Sequence, residues 1–295
     1  MNKAITAEVL AHSISPSGDE LITFKTTSPK FIDAEIEKHR MISSNSSSDR
    51  AIPTDRLSSN DYFIPTDVRK NEKGMQGYEG ISPEDLQAFQ ATVVGIRATI
   101  LDLLDPHKDI HKQHLNRYLA AHTIQSKVMT ANKRWFEYFF KLRAAPDADP
   151  TIQNLAEVMK TALSESTPVL LSGNDWHTPY YRDGHWIGVG ESGYDKWGAM
   201  CKEALSRSVA RCARASYDNF DGELSSQAED DRLHKFLVVN LHTTPLEHQA
   251  TPMTAEMFSK TKWPEGITHF TKDNKPHSGN LMGWIQHRQV IGEEL

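Results

Sequence analysis

The chain has 295 residues, of which 38% are hydrophobic and 24% charged, with a formal net charge of -6. That length can bury a sizeable core in one large domain or two small ones, and the composition is that of an ordinary globular protein. A diffuse acidic balance excludes general binding to nucleic-acid backbones, which needs a basic surface, but leaves room for a small anionic ligand held by a few local arginines.

The N-terminus has no basic start followed by a long apolar run, so no signal peptide is expected. The turn signal Pro16-Ser17-Gly18 precedes an alternating stretch, residues 20–24, that reads as a strand. Residues 31–36 form a second short apolar stretch, and a polar loop rich in Ser, Pro and Gly follows over 43–80, long enough to suspect function. Ser82-Pro83-Glu84-Asp85 supplies an N-cap, a proline at the first helical position and an acid three residues on; the helix it opens runs to Asp105. The spacing of Val128, Trp135, Phe136, Phe139 and Phe140 predicts a helix over 124–143 with the phenylalanines in the core. A further helix opens at Asp149-Pro150 and ends before Pro168. Residues 172–193, rich in Gly, Trp, Tyr and His, read as a long irregular connection, with Trp176-His177 and His185-Trp186 as loop packing or as a lid. A helix over 196–213 follows, then alternating strands and loops. Two cysteines, Cys201 and Cys212, make no disulfide scaffold and no CxxC motif, so reduced thiols are expected. No run approaches the roughly 18 apolar residues of a membrane helix. The expectation is a cytoplasmic protein of mixed α and β structure that engages neither nucleic acid nor membrane.

Residues 39–50, His-Arg-Met-Ile-Ser-Ser-Asn-Ser-Ser-Ser-Asp-Arg, carry the most chemistry. Hydroxyls and backbone amides can surround a phosphate, and arginine adds a fixed fork of donors matching its oxygens. Asn45 offers a donor and an acceptor to a ring edge. Composition alone also fits a solvated turn with a surface arginine. The order of residues decides between them: Lys38-His39-Arg40, then Ser43, Asn45, Ser48 and Arg50, resembles the Arg-His-Arg signature of flavin-dependent thymidylate synthases, with Lys38 as the change at a fixed position.

Other blocks resemble the same family. They are Asn116-Arg117-Tyr118-Leu119, Asn132 with Arg134, Leu142-Arg143, Ala213-Arg214-Ala215-Ser216-Tyr217, and His242-Thr243-Thr244-Pro245-Leu246-Glu247-His248. In ordinary members the last two precede the signature, whereas here they follow it, so the order resembles a circular permutation of the kind found in a branch encoded largely by bacteriophages. That branch is also similar at Asn71-Glu72-Lys73-Gly74-Met75-Gln76 and Gly283-Trp284-Ile285-Gln286. The resemblance covers most of the chain except 173–196 and 254–278.

The resemblance implies a single α+β domain over 1–295, with the signature loop and long helices in 1–168 and the two displaced blocks in 169–295. The fold it implies is a central antiparallel or mixed sheet with flanking helices. It implies methylation of deoxyuridine monophosphate, with methylenetetrahydrofolate as carbon donor, FAD as hydride donor and NADPH as its reductant, and no cysteine nucleophile. Glu35, Ser46, Ser48, Arg50, Arg117 and Arg143 would bind the nucleotide. Lys38, His39, Arg40, Asn45, Asn132, Arg134, Ser216, Thr244 and Glu247 would bind FAD. Arg143 and His242 would serve catalysis. A homotetramer with inter-subunit active sites is implied as well.

Glu35, Ser46, Ala51, Asp147 and Asp149 depart from the family pattern. An ionised glutamate near a base only accepts hydrogen bonds, so a related product such as the hydroxymethyl nucleotide, or a binding protein without catalysis, stays open. His107, His111 and His114 would share one face of a helix, a spacing that could bind zinc, but no carboxylate-rich motif accompanies them, and no metal is expected. His248 reads as a hydrogen-bonding residue rather than a base.

Overall fold

The computed structural model describes residues 4–59, 62–74, 77–188, 194–217, 225–253, 263–271 and 274–292. Its centre is a five-stranded mixed sheet built from β1 (Thr6–Ile14), β2 (Glu20–Pro29), β3 (Ser43–Ser46), β4 (Ile124–Asn132) and β5 (Val169–Leu170). The strand order is β3-β4-β2-β1-β5, antiparallel except for the parallel pair β1 and β5. Leu21, Ile22 and Phe24 on β2 are all 0% exposed, because both faces of the sheet are covered.

On one face lie α5 (Lys133–Arg143) and α6 (Pro150–Ser164). Phe24 meets Phe136 edge-on at 4.9 Å, and Met129, Phe139, Ile152, Leu155 and Met159 complete that core. Burying each such side chain contributes roughly 1.5–3 kcal/mol. On the other face Leu21 packs with Leu171, Ala250, Leu281 and Trp284. These belong to or flank a second sheet, ordered β11-β8-β6-β7, of β6 (Trp176–His177), β7 (His185–Trp186), β8 (Ala250–Pro252) and β11 (Trp284–Gln286). The link between β6 and β7 crosses β1 at Gly184, where a Cβ would lie 2.5 Å from the Leu10 carbonyl and φ is +94°. Only glycine fits that crossing. Strands β9 (His269–Phe270) and β10 (Pro276–His277) form a small antiparallel pair.

Helices α1 (Asp33–Ile36), α2 (Thr54–Ser59), α3 (Pro83–Leu104) and α4 (Lys112–Leu119) occupy the connection between β2 and β4, and α7 (Tyr194–Arg214), α8 (Gln227–Val239) and α9 (His287–Gly292) the C-terminal half. Ser82 caps α3 and Asp149 caps α6, as the sequence signals predict. Ser226 and Glu229 form a reciprocal capping box at α8. Replacing Ser226 with Ala removes one side of that box and is expected to cost about 1 kcal/mol, read as a lower urea midpoint at unchanged slope. No helix among the described residues is long and apolar enough to cross a membrane.

The structure corrects several sequence expectations. Residues 124–132 are strand β4, not the first half of a helix; the helix starts only after Asn132, its N-cap. From Lys127 to Asn132 every residue of β4 is buried, the polar Lys127, Thr130 and Asn132 included, so both faces of the strand are covered and no inside–outside alternation marks it in the sequence. Residues 172–188 are not an irregular lid: Trp176, His177, His185 and Trp186 are buried strand residues. The stretch 189–193, the remainder of that connection, lies outside the described residues, as do Met75 and Gln76. Residues 227–239 form helix α8 where alternating strands and loops were expected, and strand β1 stands where no element was assigned. His107 closes a short 3-10 turn while His111 is the N-cap of α4, so the three histidines share no helical face. Among the described residues no cluster of three or more His, Cys, Asp or Glu is placed to hold a metal ion.

Candidate functional site

Helix α5 ends on Arg143, and its guanidinium is fully oriented by α1 and the turn after it. Nη1 donates to Glu35 Oε2 at 2.7 Å, Nη2 to the Glu35 carbonyl at 3.0 Å, and Nε to His39 Nε2 at 3.1 Å. His39 Nε2 must therefore be an acceptor, which leaves the ring neutral with its proton on Nδ1. Burial, and then the neighbouring Arg143 charge, lower the His39 pKa to about 4, in keeping with that neutral form. The His39 ring also meets Phe139 edge-on at 4.9 Å and Tyr138 at 6.0 Å.

A cleft of about 370 Å³ opens here, lined by residues 38–42 together with Trp135, Tyr138, Leu142 and Arg143. It combines three cationic side chains, Lys38, Arg40 and Arg143, with flat rings and aliphatic walls. A planar heterocycle carrying an anionic tail matches that lining. The sequence motifs do not point to Trp135, Tyr138 and Leu142, although their i, i+3, i+7 spacing puts them on one stripe of α5.

Strand β3 leaves the cleft and runs along β4 toward a second cluster. Asn45 Nδ2 donates to the Cys212 carbonyl at 2.7 Å, and Ser216 Oγ donates to Asn45 Oδ1 at 3.1 Å. The Ser48 amide donates to the Ser216 carbonyl at 2.9 Å, and Ser47 Oγ to the Ala215 carbonyl at 3.3 Å. The 3-10 turn Thr244–Glu247 packs against both β3 and α7. The early serine–arginine loop and the late Ala213–Ser216 and Thr244–Glu247 segments therefore form one continuous region, although more than 160 residues separate Asn45 from Ser216 in the chain.

The remaining candidates fall into place as follows. Ser46 and Ser48 are partly buried at the end of β3, and Arg50 is exposed. Arg117 is exposed on α4, next to the buried Asn116 that binds the Ser48–Arg50 turn. Asn132 exchanges both amide groups with the backbone of Met282, at 3.0 and 2.7 Å, and Asn280 donates to Ser43 Oγ at 3.2 Å. Arg134 lies over the Trp135 ring at 4.7 Å. Glu247 is paired with Arg288 at 2.7 Å, and its carbonyl accepts from Gln286. His242 does not line the cleft; it is exposed and stacks on Phe236 at 6.1 Å. His248 is fully buried and shares a hydrogen bond of 2.8 Å with Thr130 Oγ1, and burial lowers its pKa to about 3, so it stays neutral. Cys212 is fully buried with its thiol pKa raised by burial, which keeps it protonated and unreactive.

Fold and site together define an α+β protein whose arginine-bearing, ring-lined cleft adjoins a serine–arginine loop. Residues 11–169, more than half of the chain, match the family model described as thymidylate synthase complementing protein; the chain belongs to that family. Two similar solved structures are crystal structures of a UMP/dUMP methylase PolB from Streptomyces cacaoi, one bound with 5-Br UMP and one with 5-Br dUMP. They are 20% and 19% identical, with 56% of this chain and 90% and 91% of theirs covered, at TM-scores of 0.46 and 0.45. No curated protein sequence matches the chain.

Proposed function

We propose that this protein methylates dUMP to dTMP in a flavin-dependent reaction, with methylenetetrahydrofolate as carbon donor and NADPH as reductant. The observation that carries this reading is the junction along β3, where the signature loop meets the Ala213–Ser216 and Thr244–Glu247 segments beside the Arg143 cleft. That convergence also supports reading the sequence order as a circular permutation of the family's blocks.

The side chains present fit FAD and a nucleotide. Lys38, Arg40 and Arg134 supply cations for a diphosphate, and Trp135 and Tyr138 supply walls for a flat ring. Asn45, Ser216, Thr244 and Glu247 border the same region. Reduced FAD, when bound, supplies a hydride; the protein's part is to bind, orient and exclude water. Ser48, Arg50 and Arg117 offer hydroxyl and guanidinium donors to the nucleotide phosphate, with Ser46 at the sugar. Arg143, held by Glu35 and His39, presents its remaining donors to the nucleotide without needing to reorganise. The neutral His39 accepts from Arg143 and so does not compete with it for anions. The buried, protonated Cys212 is unsuited to act as a nucleophile, in keeping with a mechanism without covalent cysteine. His242 reaches a catalytic position only by a change in the segment it occupies or from another subunit. The reading includes a homotetramer with shared active sites, acting in the cytoplasm.

Mass spectrometry of the product formed from dUMP, methylenetetrahydrofolate and NADPH tests the reaction. A product retaining oxygen on the new carbon replaces methylation by hydroxymethylation, a possibility that the carboxylate of Glu35 beside Arg143 keeps in view. Replacing Arg143 with Ala removes a charge-assisted contact and should weaken dUMP binding by roughly 1.5–3 kcal/mol, measured by titration calorimetry. Unchanged affinity would remove Arg143 from the site.

A further inference from the structure

The turn that carries Ser48 and Arg50 is tied down from its outer side. Asn116 of α4 donates from Nδ2 to the Asp49 carbonyl at 2.8 Å and to the Ile52 carbonyl at 2.9 Å. Lys112 Nζ, one turn earlier on α4, donates to the Ala51 carbonyl at 2.6 Å. Lys30, just past β2, is ion-paired with the Asp49 side chain. The amides of Ala51 and Ile52 close the turn on the Ser48 carbonyl at 2.9 and 3.1 Å. Acceptors of this turn are thus drawn toward α4, while the Arg50 side chain is left exposed.

Asn116 is 0% exposed, and its Oδ1 has no hydrogen-bond partner among the described residues. The amide cannot be turned round, because the atom facing two carbonyls has to be the donor. An unpaired buried acceptor destabilises the fold. An apolar side chain of similar shape would avoid it, so packing alone does not account for asparagine here.

We infer that Asn116, assisted by Lys112, is a positioning residue that fixes the Ser48–Arg50 turn in its nucleotide-binding shape. The inference rests on the proposed nucleotide site. It assigns to α4 a task separate from the contact expected of its neighbour Arg117. Without the brace the turn samples other shapes, and binding is reduced by the fraction of time spent away from the competent one.

The test uses the full chain with Asn116→Leu, which removes both donors and the unpaired oxygen at similar volume. Tryptic cleavage after Arg50 should accelerate, and the KM for dUMP should rise about tenfold, the effect of losing one or two neutral hydrogen bonds. The kcat and FAD affinity should hold. The same substitution in an Arg50→Ala background should change dUMP affinity less than about twofold, because Asn116 acts through that turn. Lys112→Met, at a partly exposed position, repeats the test should Asn116→Leu fail to fold. Unchanged cleavage, additive losses in the double variant, or equal losses of dUMP and FAD binding would each overturn the inference. Absence of dUMP binding in the unaltered protein would instead overturn the nucleotide reading, and the cleavage rate would still decide whether the brace exists.

Discussion

Replacing Asp230 with Ala should destabilise the protein by about 3–5 kcal/mol, the range for removing one partner of a buried ion pair. Asp230 is 0% exposed and lies between two arginines of α7. Arg214 Nη1 and Ser225 Oγ both donate to its Oδ1, and Arg211 Nε stands 3.8 Å from Oδ2. At 3.8 Å that last approach is an ion pair without a hydrogen bond, and Arg211 Nε has no other partner among the described residues. Burial lowers the Arg211 pKa, so its charge already sits in an unfavourable setting. Without Asp230, two largely buried guanidinium groups face each other with no counter-charge, and α7 separates from α8. Urea unfolding followed by circular dichroism measures the loss. A cost below about 1 kcal/mol would mean that water enters and the pair behaves as an exposed one.

Acid should weaken the fold well above the range in which carboxylates protonate. His248 and His287 are buried, and burial lowers both pKa values to about 3 from an ordinary 6.5. Each stays neutral in the folded state while the unfolded chain binds its proton below pH 6.5. Stability is then fully present above pH 6.5 and falls as pH drops toward the folded values. The slope is about 1.4 kcal/mol per pH unit for each such group. Between pH 6.5 and 5 the two together remove up to roughly 4 kcal/mol. His177, also fully buried with its pKa well below 6.5, acts in the same direction. Urea midpoints at pH 7 and pH 5 check this, and equal midpoints would show that the buried rings ionise freely.

Much of the site could be read in the chain because its chemistry is tied to short, spaced motifs. The 38–50 signature, Arg143 and the 213–217 and 242–248 blocks are local strings, and the first and the last two of them lie together along β3. Helices α3 and α6 were legible because Ser82-Pro83 and Asp149-Pro150 announce their starts. What stayed hidden depends on tertiary packing. Strand β4 is buried on both sides, so its two-residue period is invisible, and it merged with the helix that follows. The pairing of Glu35 with Arg143 spans 108 positions, and no local pattern signals it. Asn116 looks like any polar helix residue until two carbonyls appear opposite its amide. Trp135, Tyr138 and Leu142 carry a visible stripe, but helical spacing alone does not say whether a stripe faces a core or a cleft.

Helix α5 begins where Asn132 is clamped to the backbone of Met282, just ahead of β11, and ends on the guanidinium held by Glu35 and His39. Its 11 residues act as a rigid spacer of about 16 Å between those anchors. One added or deleted residue would swing Arg143 by about 100° around the axis and leave Glu35 and His39 facing the wrong side chain. A point substitution on its outer surface leaves that direction unchanged, so the aim of Arg143 depends on the length of this helix rather than on its outward-facing side chains.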